Sequence, residues 1–239
     1  SMNWNALRDC SYTPYSGKSE ACVVEGESGL FYTGVRVENI SFPETIQASQ
    51  SAIFTCLSEK DRPVKLIIPK NYQENRHILN FWEDEYNLTI IIEDSPPEKD
   101  RYHKILSLKS DITDQLIQLL DFAIVPNSNF PVSAILEVED GFITGVNAEC
   151  SEWSLGLCAE RLAIAKAIAM GYRTFKRLYV HTKYGEYSSP CGACRQVINE
   201  QMPNKPVYLY HANHSHSYHD ISQLLPYSFQ TKYLKKISE

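Results

Sequence analysis

Three cysteines and one glutamate, grouped in two short segments, are the residues of this sequence best suited to chemistry. The first segment, Cys158-Ala159-Glu160-Arg161, places a thiol two residues before a carboxylate, and the second, Pro190-Cys191-Gly192-Ala193-Cys194, supplies a Cys-x-x-Cys pair. Thiolates are soft ligands that select zinc, and three protein ligands leave the fourth tetrahedral position open, as catalytic zinc sites require. The pattern predicts one Zn²⁺ per chain, bound by Cys158, Cys191 and Cys194.

The role predicted for Glu160 is that of general acid and base rather than metal ligand. At the open position it would take a proton from the attacking water and pass it to the substrate. Three thiolates outweigh the charge of the metal, so a nearby cation is expected, and Arg161 is preferred to Arg195 as the donor to the sulfurs. A Cys-x-x-Cys pair alone is also typical of redox sites and structural zinc knuckles, and the Cys-Ala-Glu segment upstream is what favours catalysis.

Helices and strands must bring the two segments together. The hydrophobic pattern predicts strands at 132–138, 142–146, 177–181 and 206–210, and helices from near Asp111, at 159–170 and from the Cys-x-x-Cys loop to Gln201. The helix at 159–170 is apolar on all sides, so we expect it to be buried. Strands that alternate with helices indicate an α/β fold, a three-layer α/β/α sandwich around a mixed sheet.

The first half of the chain repeats the hairpin and helix of the second half. Strands are predicted at 21–25 and 31–37 and a helix from Ala48, and the pattern Thr-Gly-Val-x-x-Glu occurs both at Thr33–Glu38 and at Thr144–Glu149. Two unrelated hairpin-helix units could share this arrangement by chance, but the shared residues favour a true repeat.

The first copy lacks the residues that would bind the metal. Eleven positions separate Asn147 from Cys158, and the same number separate Arg36 from Gln47. Gln47 therefore stands in the place of the thiol, and Ser49, two residues on, stands in the place of the carboxylate. Neither side chain can do the work of the residue it replaces.

Two tandem domains are therefore expected. The helical stretch of the first copy that corresponds to the Cys-x-x-Cys loop, 71–76, holds no cysteine. We predict a degenerate, metal-free domain at 3–100 and a catalytic zinc domain at 108–239, each a three-layer α/β/α sandwich with a mixed sheet. The polar, proline-containing run 94–101 marks the boundary between them.

Composition narrows the partners and the compartment. The 239 residues are 43% hydrophobic, carry a formal net charge of −6 and contain no apolar stretch long enough to cross a membrane. An acidic chain, whose only basic cluster is Lys232, Lys235 and Lys236, disfavours nucleic acid as a partner. The lack of a signal-like leader and the odd count of 7 cysteines favour a reducing compartment, so a cytoplasmic location is expected.

Two further groups of residues receive a structural interpretation. The four cysteines outside the predicted zinc site are interpreted as small buried hydrophobic residues: Cys10, Cys22, Cys56 and Cys150. The histidines between His211 and His219 are interpreted as part of a polar loop rather than as a second metal site.

From about Asp114 to Phe229, the chain resembles the cytidine deaminases of nucleoside salvage. A metal ligand two residues before a glutamate, followed by Pro-Cys-x-x-Cys, is the signature of the zinc deaminases, here in a three-cysteine form. The other matching segments are Asn129-Phe130-Pro131-Val132, Asn147-Ala148-Glu149, Ser189-Pro190 and Leu224-Leu225-Pro226-Tyr227-Ser228-Phe229. The resemblance implies zinc-dependent hydrolysis of cytidine and deoxycytidine to uridine and deoxyuridine, with release of ammonia. The first half of the chain is similar to a decayed copy of the same domain.

The resemblance also implies site residues and an assembly. The implied substrate contacts are Asn147 and Glu149 at the ribose, Phe130 at the base, and Glu160 with the backbone of Ala159 and Ser189 at the Watson–Crick edge. Phe229 would lie near a neighbouring active site. Single-domain members are similar tetramers, and in two-domain members metal-free copies replace two of the four subunits. A homodimer with two zinc sites, a pseudo-tetramer of domains, is therefore expected.

Several positions depart from the family pattern. Cys150 stands where the family usually has Asn, Ser151-Glu152-Trp153 where it has Ala-Ser-Tyr, Ser133 where it has Gly and Asn127 where it has Tyr. The decayed copy also precedes the intact one, whereas it follows in the familiar two-domain form. The first two departures lie beside the ribose contacts, so they bear on the sugar preference rather than on the chemistry. Three alternatives stay open: a deaminase of another amino-heterocycle such as a nucleoside antibiotic, with altered contacts at 150–153, a non-catalytic zinc-binding regulator and, disfavoured by the acidic charge, a polynucleotide-editing enzyme.

Overall fold

The computed structural model describes residues 2–107, 111–185 and 190–224. The first sheet has the strand order β2-β1-β3-β4. Its strands and their helices are α1 (Trp4–Arg8), β1 (Ala21–Gly26), β2 (Phe31–Val35), α2 (Ala48–Leu57), β3 (Pro63–Ile68), α3 (Arg76–Tyr86) and β4 (Thr89–Ile92).

The second sheet has the strand order β6-β5-β7-β8-β9. Its strands and their helices are α4 (Ile112–Leu119), β5 (Val132–Val138), β6 (Gly141–Val146), α5 (Ala159–Ala169), β7 (Arg177–Thr182), α6 (Gly192–Gln201), β8 (Pro206–Tyr210), β9 (His216–Asp220) and α7 (Ile221–Leu224). The predicted strands and helices of the second half are thus present within a residue or so of their expected limits.

Both sheets are mixed and are built in the same way. An antiparallel hairpin, β1–β2 or β5–β6, is followed by a strand antiparallel to its first member, and the next strand pairs in parallel. A parallel pair needs a crossover connection, which α3 provides between β3 and β4 and α6 provides between β7 and β8. The predicted α/β class with two mixed sheets is confirmed.

Neighbouring residues of β5 show how helices cover both faces of the second sheet. The hydroxyl of Ser133 donates to the backbone carbonyl of Leu116 in α4, 2.7 Å away. The next residue, Ala134, pairs with Gly145, and Gly145 lies against α5. Because successive residues of a strand point to opposite faces, α4 and α5 lie on opposite sides of the sheet.

The helix α5 occupies the centre of the molecule. All of its residues are buried, as its apolar sequence predicts, because it packs on β5 and β6 on one side and on α2 and β2 of the first copy on the other. The ammonium of Lys166 donates to the backbone carbonyl of Thr144, 2.7 Å away, and lies 3.8 Å from the carboxylate of Glu59 in the first copy. Burial lowers the pKa of this lysine, and Glu59 opposes that shift.

Glycine is required where α2 and α5 cross their sheets. A Cβ built on Gly145 would lie 2.2 Å from the backbone oxygen of Ala159, and one built on Gly34 would lie 2.1 Å from that of Ala48. The same close approach therefore recurs at corresponding positions of the two copies, and it sets the distance of each helix from its hairpin.

We expect Gly145→Ala to destabilise the protein by about 3 kcal/mol or more, because α5 must move away from β6 to accommodate the methyl group. The free energy of unfolding in urea measures the effect. Gly192→Ala is the control, since a Cβ at Gly192 meets no atom within 4 Å, and we expect it to change that free energy by less than about 0.5 kcal/mol. Equal stability of the two variants would contradict the role of the close approach.

The segment between the two sheets hydrogen-bonds to an edge of each. The backbone N–H of His103 donates to Phe31 of β2, and the backbones of Ser107 and Phe142 of β6 exchange two hydrogen bonds. Both outer hairpin strands are therefore covered by the chain that joins the two copies. Within the described ranges, no helix combines the length and the apolar character needed to cross a membrane.

Two sequence-based expectations about local structure are wrong. The segment of histidines is not simply a polar loop, because His216–Asp220 forms the edge strand β9, where Tyr218 packs edge-on against Tyr208 and His216 stacks on Tyr210. The stretch 71–75 is not helical, because α3 begins at Arg76 with Asn75 as its N-cap. Cross-strand ring contacts and a capping side chain outweighed local composition at these places.

Candidate active site

Two helix N-termini bring the three cysteines together. Cys158 is the N-cap residue of α5, and Glu160 lies in the first turn of that helix. Cys191 is the N-cap residue of α6, where its sulfur accepts a hydrogen bond from the backbone N–H of Cys194, 3.4 Å away. Free N–H groups and the positive end of the helix dipole stabilise negative charge at these positions.

The spacing of the three sulfurs fits a zinc ion. All three lie within 4.8 Å of one another, and the sulfurs of Cys158 and Cys191 are 3.6 Å apart. A tetrahedral zinc with Zn–S bonds of about 2.3 Å requires sulfurs about 3.8 Å apart. In the part of the chain that the structure describes, this is the one group of three such side chains with metal-binding geometry. The residues present therefore fit the metal that the sequence predicts.

Electrostatics also suit a cation at this place. Hydrogen bonds from the thiols of Cys158 and Cys194 lower the pKa of Cys191, so negative charge is favoured at this sulfur. The pKa of Cys158 is raised because its thiol donates to that sulfur, and burial raises the pKa of Cys194. Burial raises the pKa of Glu160 to about 7. A divalent cation would take the place of the protons that the sulfurs now share.

Glu160 and the cysteines border two adjoining cavities. The inner cavity, of about 180 Å³, is lined by Glu160, Cys158, Cys191, Ala159, Thr182 and Phe130, among others. The outer cavity, of about 430 Å³, is lined by Phe130, Asn147, Glu149, Ser128, Trp153 and Cys158, among others. Apart from the cysteines and Arg161, five of the six predicted site residues therefore line one or both of these cavities, which share Phe130, Asn147 and Cys158. The fifth substrate contact, Ser189, and Phe229 lie outside the described residues.

The predicted ribose contacts also organise the loop that carries Phe130. The carboxylate of Glu149 accepts hydrogen bonds from the backbone N–H groups of Asn127 and Ser128 and from the Ser128 hydroxyl. The side-chain amide of Asn147 donates to the backbone carbonyl of Phe130 at 2.9 Å, and its oxygen accepts from the backbone at Val132 at 2.8 Å. These bonds fix the loop between the two cavities.

Known cytidine deaminases are similar to the second half of the chain. A family model, the cytidine and deoxycytidylate deaminase zinc-binding region, matches residues 107–210. A cytidine deaminase of Sporosarcina psychrophila is 44% identical over 119 residues, which are 49% of this chain and 88% of the relative. One of Halalkalibacterium halodurans is 38% identical over 117 residues, 48% of this chain and 89% of the relative. The chain belongs to the cytidine deaminase family.

Among solved structures, the cytidine deaminase from Burkholderia pseudomallei is similar to this member of the family. It is 35% identical, with a TM-score of 0.47, and the match covers 48% of this chain and 94% of that chain. The two curated relatives named above match about half of this chain over most of their own length.

The two arginines considered as donors to the sulfurs have other contacts. The guanidinium of Arg161 donates through Nη2 to the backbone carbonyl of Glu44, 3.0 Å away in the first copy, and Nη1 lies 3.6 Å from the Glu44 carboxylate. Arg195 donates to the backbone carbonyls of Pro190, at 2.8 Å, and Leu224, at 3.0 Å. Arg195 therefore supports the loop at Pro190, and Arg161 joins the two copies.

In the first copy, neutral and carboxylic groups stand at the counterpart of the cysteine site. Gln47 is the N-cap residue of α2, as Cys158 is of α5, and Asn75 is the N-cap residue of α3, as Cys191 is of α6. The hydroxyl of Ser49 donates to the carboxylate of Glu74, 2.8 Å away, and accepts from the indole of Trp82.

The sequence-based prediction assigned no role to three residues: one at the outer cavity, one at the vacated site of the first copy and one at the contact between the copies. Trp153, 65% exposed, lines the outer cavity. Its aromatic ring, in place of the family's tyrosine, was the available signal. Burial raises the pKa of Glu74 in the vacated site to about 7. Glu44 reaches Arg161 from the other copy, and no local pattern could have shown that contact.

Proposed function

We propose that the chain catalyses hydrolytic deamination of cytidine and deoxycytidine, giving uridine or deoxyuridine and ammonia. The observation that carries the proposal is a buried carboxyl, Glu160, beside three thiols with zinc-binding geometry at the end of a cavity. The membership of the cytidine deaminase family supports the choice of substrate, since the relatives that match most of their own length are cytidine deaminases.

Each group at the site has a distinct task in this reaction. Cys158, Cys191 and Cys194 would hold zinc, which when bound supplies a Lewis acid that makes water acidic enough to attack at neutral pH. Glu160 accepts one proton of the attacking water and delivers it to the ring nitrogen, and it then takes the remaining proton from the added hydroxyl and delivers it to the departing amino group. Its burial keeps the carboxyl poised near neutrality for both transfers. Arg161 would offset the charge of the thiolates.

The two adjoining cavities would hold the base and the sugar of a nucleoside. The base would lie in the inner cavity against Phe130, with the backbone of Ala159 and Ser189 at its Watson–Crick edge, and the sugar would lie in the outer cavity at Asn147 and Glu149. We assign Trp153 to the rim beside the sugar, because it is exposed and lines that cavity. The inner cavity, of about 180 Å³, has room for one pyrimidine ring.

The first copy, 3–100, is assigned a structural role without metal. Gln47, Asn75 and Ile78 supply no thiolate at the positions equivalent to the three zinc ligands, and Ser49 supplies no acid at the position of Glu160. The catalytic copy is 108–239, with one zinc per chain. A homodimer forming a pseudo-tetramer in a cytoplasmic, pyrimidine-salvage setting follows from the family resemblance, and sedimentation of the full chain with and without Phe229→Ala tests the assembly.

Ammonia release from a panel of substrates tests the function. We expect turnover of cytidine and deoxycytidine by the zinc-loaded chain. Turnover only of another amino-heterocycle would favour the second candidate, for which the observation is that Trp153, in place of the family's tyrosine, lines the outer cavity. No release from any compound by protein holding one zinc would overturn deamination and favour a zinc-binding regulator.

A further inference from the structure

The two copies meet through reciprocal hydrogen bonds. The side-chain amide of Gln50 donates to the backbone carbonyl of Leu155, 2.7 Å away, and the guanidinium of Arg161 donates to the backbone carbonyl of Glu44, 3.0 Å away. In the register that aligns Gln47 with Cys158, Gln50 corresponds to Arg161 and Glu44 corresponds to Leu155. Each copy therefore gives the other the same contact, as two subunits related by a two-fold axis do.

A second pair of contacts follows the same rule. The backbone N–H of Ile40 donates to the carboxylate of Glu200 near the end of α6, 2.8 Å away. The backbone N–H of Ser151, which corresponds to Ile40, donates to the carboxylate of Glu85 near the end of α3, 3.2 Å away. Both copies thus present equivalent surfaces to each other, although one of them has no metal ligands.

The first pair of reciprocal contacts differs in charge between the two copies. In the contact made by α5, the donor is the guanidinium of Arg161 and the opposing side chain is a carboxylate, with Nη1 of Arg161 3.6 Å from Glu44. The equivalent contact has a neutral amide, Gln50, and an aliphatic side chain, Leu155. The side chains of Arg161 and Glu44 are 10% and 23% exposed, so the ion pair is shielded from water.

The position of Arg161 makes this ion pair relevant to the metal. Arg161 follows Glu160 directly in the first turn of α5, and Cys158 caps that helix. Both terminal nitrogens of the guanidinium contact Glu44. The third nitrogen, Nε, is buried and has no hydrogen-bond partner among the described residues. Arg161 also lines the cavity of about 480 Å³ at the vacated site of the first copy, so its side chain has space to move if Glu44 no longer holds it.

We propose that Glu44, contributed by the first copy, is a positioning residue for the zinc site of the second copy. It fixes the guanidinium of Arg161, so that the positive charge stays at the first turn of α5, the helix that Cys158 caps, instead of turning into the vacated cavity. The first copy thereby supports the metal site directly, in addition to covering α5. The inference rests on the proposed zinc site but not on the identity of the substrate.

Replacement of Glu44 by glutamine tests the proposal, because it keeps the size of the side chain and removes the charge. The full chain, loaded with one zinc, is mixed with an excess of a chromogenic chelator, and the rate of zinc release is followed. We expect Glu44→Gln to release zinc ~10-fold faster and to lower kcat ~10-fold with KM within ~2-fold, the size of effect seen when an outer partner of a metal ligand is lost. Glu44→Asp, which restores the carboxylate, should recover part of both.

The matched control is Glu85→Gln, the same substitution at a carboxylate that crosses the same interface to Ser151 rather than to Arg161. We expect it to release zinc at the unsubstituted rate. If Glu44→Gln releases zinc no faster than the unsubstituted chain, or if both variants accelerate release equally, the proposal is wrong. A chain that shows the expected zinc release but deaminates no nucleoside would overturn the proposed function and leave this inference standing.

Discussion

Glu160→Gln is expected to lower the kcat for cytidine by about a thousand-fold, within the range by which general acid–base catalysis contributes to enzyme rates. Glutamine has nearly the same shape but cannot accept a proton from water or return one to the substrate. Glu160 is not a metal ligand in the proposed site, so the variant should still bind one zinc. Ammonia release and metal content, measured on the same preparation, check the two halves of this expectation.

Glu74→Gln provides the matched control for that loss. Glu74 is also a buried carboxyl whose pKa burial raises to about 7, and it lies at the vacated site of the first copy, bonded to Ser49. If buried carboxyls matter here only for stability, the two variants should behave alike. If the second copy alone is catalytic, Glu74→Gln keeps kcat within ~2-fold while Glu160→Gln loses most of it. Intact turnover in Glu160→Gln would refute the assigned mechanism.

The catalytic half could be predicted closely because its signals are local. The limits of α5 follow from the cap residue Cys158, an unbroken apolar run and Gly171 just beyond the end, and the grouping of the three cysteines follows from their short spacing in the sequence. The alternation of apolar strands and turns likewise gave β5 to β8. These features depend on a few neighbouring residues, so a single sequence contains them in full.

Contacts between distant parts of the chain were not accessible in the same way. The prediction aimed Arg161 at the sulfurs, since nothing in the sequence shows that Glu44 lies opposite it. Strand β9 was missed because a histidine-rich segment has weak strand propensity, and ring stacking across to Tyr208 and Tyr210 stabilises it instead. Similarly, α3 begins only at Arg76, because Asn75 is its cap, although the sequence pattern predicts a helix over 71–76. The residue equivalent to Cys191 is therefore Asn75, near the end of that stretch.

The pattern of retained residues in the first copy explains what that copy contributes. The copies share the glycine at the helix crossing, the carboxylate that organises the preceding loop (Glu38 or Glu149) and the reciprocal contacts at their interface. What differs is the set of metal ligands and the acid. The shared glycines and reciprocal contacts shape the packing of α2, α5 and their hairpins, so the first copy preserves the surface on which α5 rests.

Cys194→Ala is expected to reduce bound zinc from one per chain to nearly none and to abolish turnover. Two thiolates and water hold zinc far more weakly than three thiolates, and Cys194 is the fully buried ligand of the three, so no other side chain can readily replace it. Atomic absorption on the dialysed protein measures the stoichiometry, and the intact chain should contain one zinc.

Cys22→Ala is the corresponding control, because Cys22 is a fully buried cysteine of the first copy that no proposed site uses. Deleting its sulfur costs packing energy of about 1–2 kcal/mol but should leave one zinc per chain and kcat unchanged. Two zincs in the unsubstituted chain, or loss of zinc in Cys22→Ala, would place a metal in the first copy and refute its assignment as metal-free. If the unsubstituted chain holds one zinc, and that zinc is lost in Cys194→Ala but kept in Cys22→Ala, the metal lies in the second copy, beside Glu160 and its cavity.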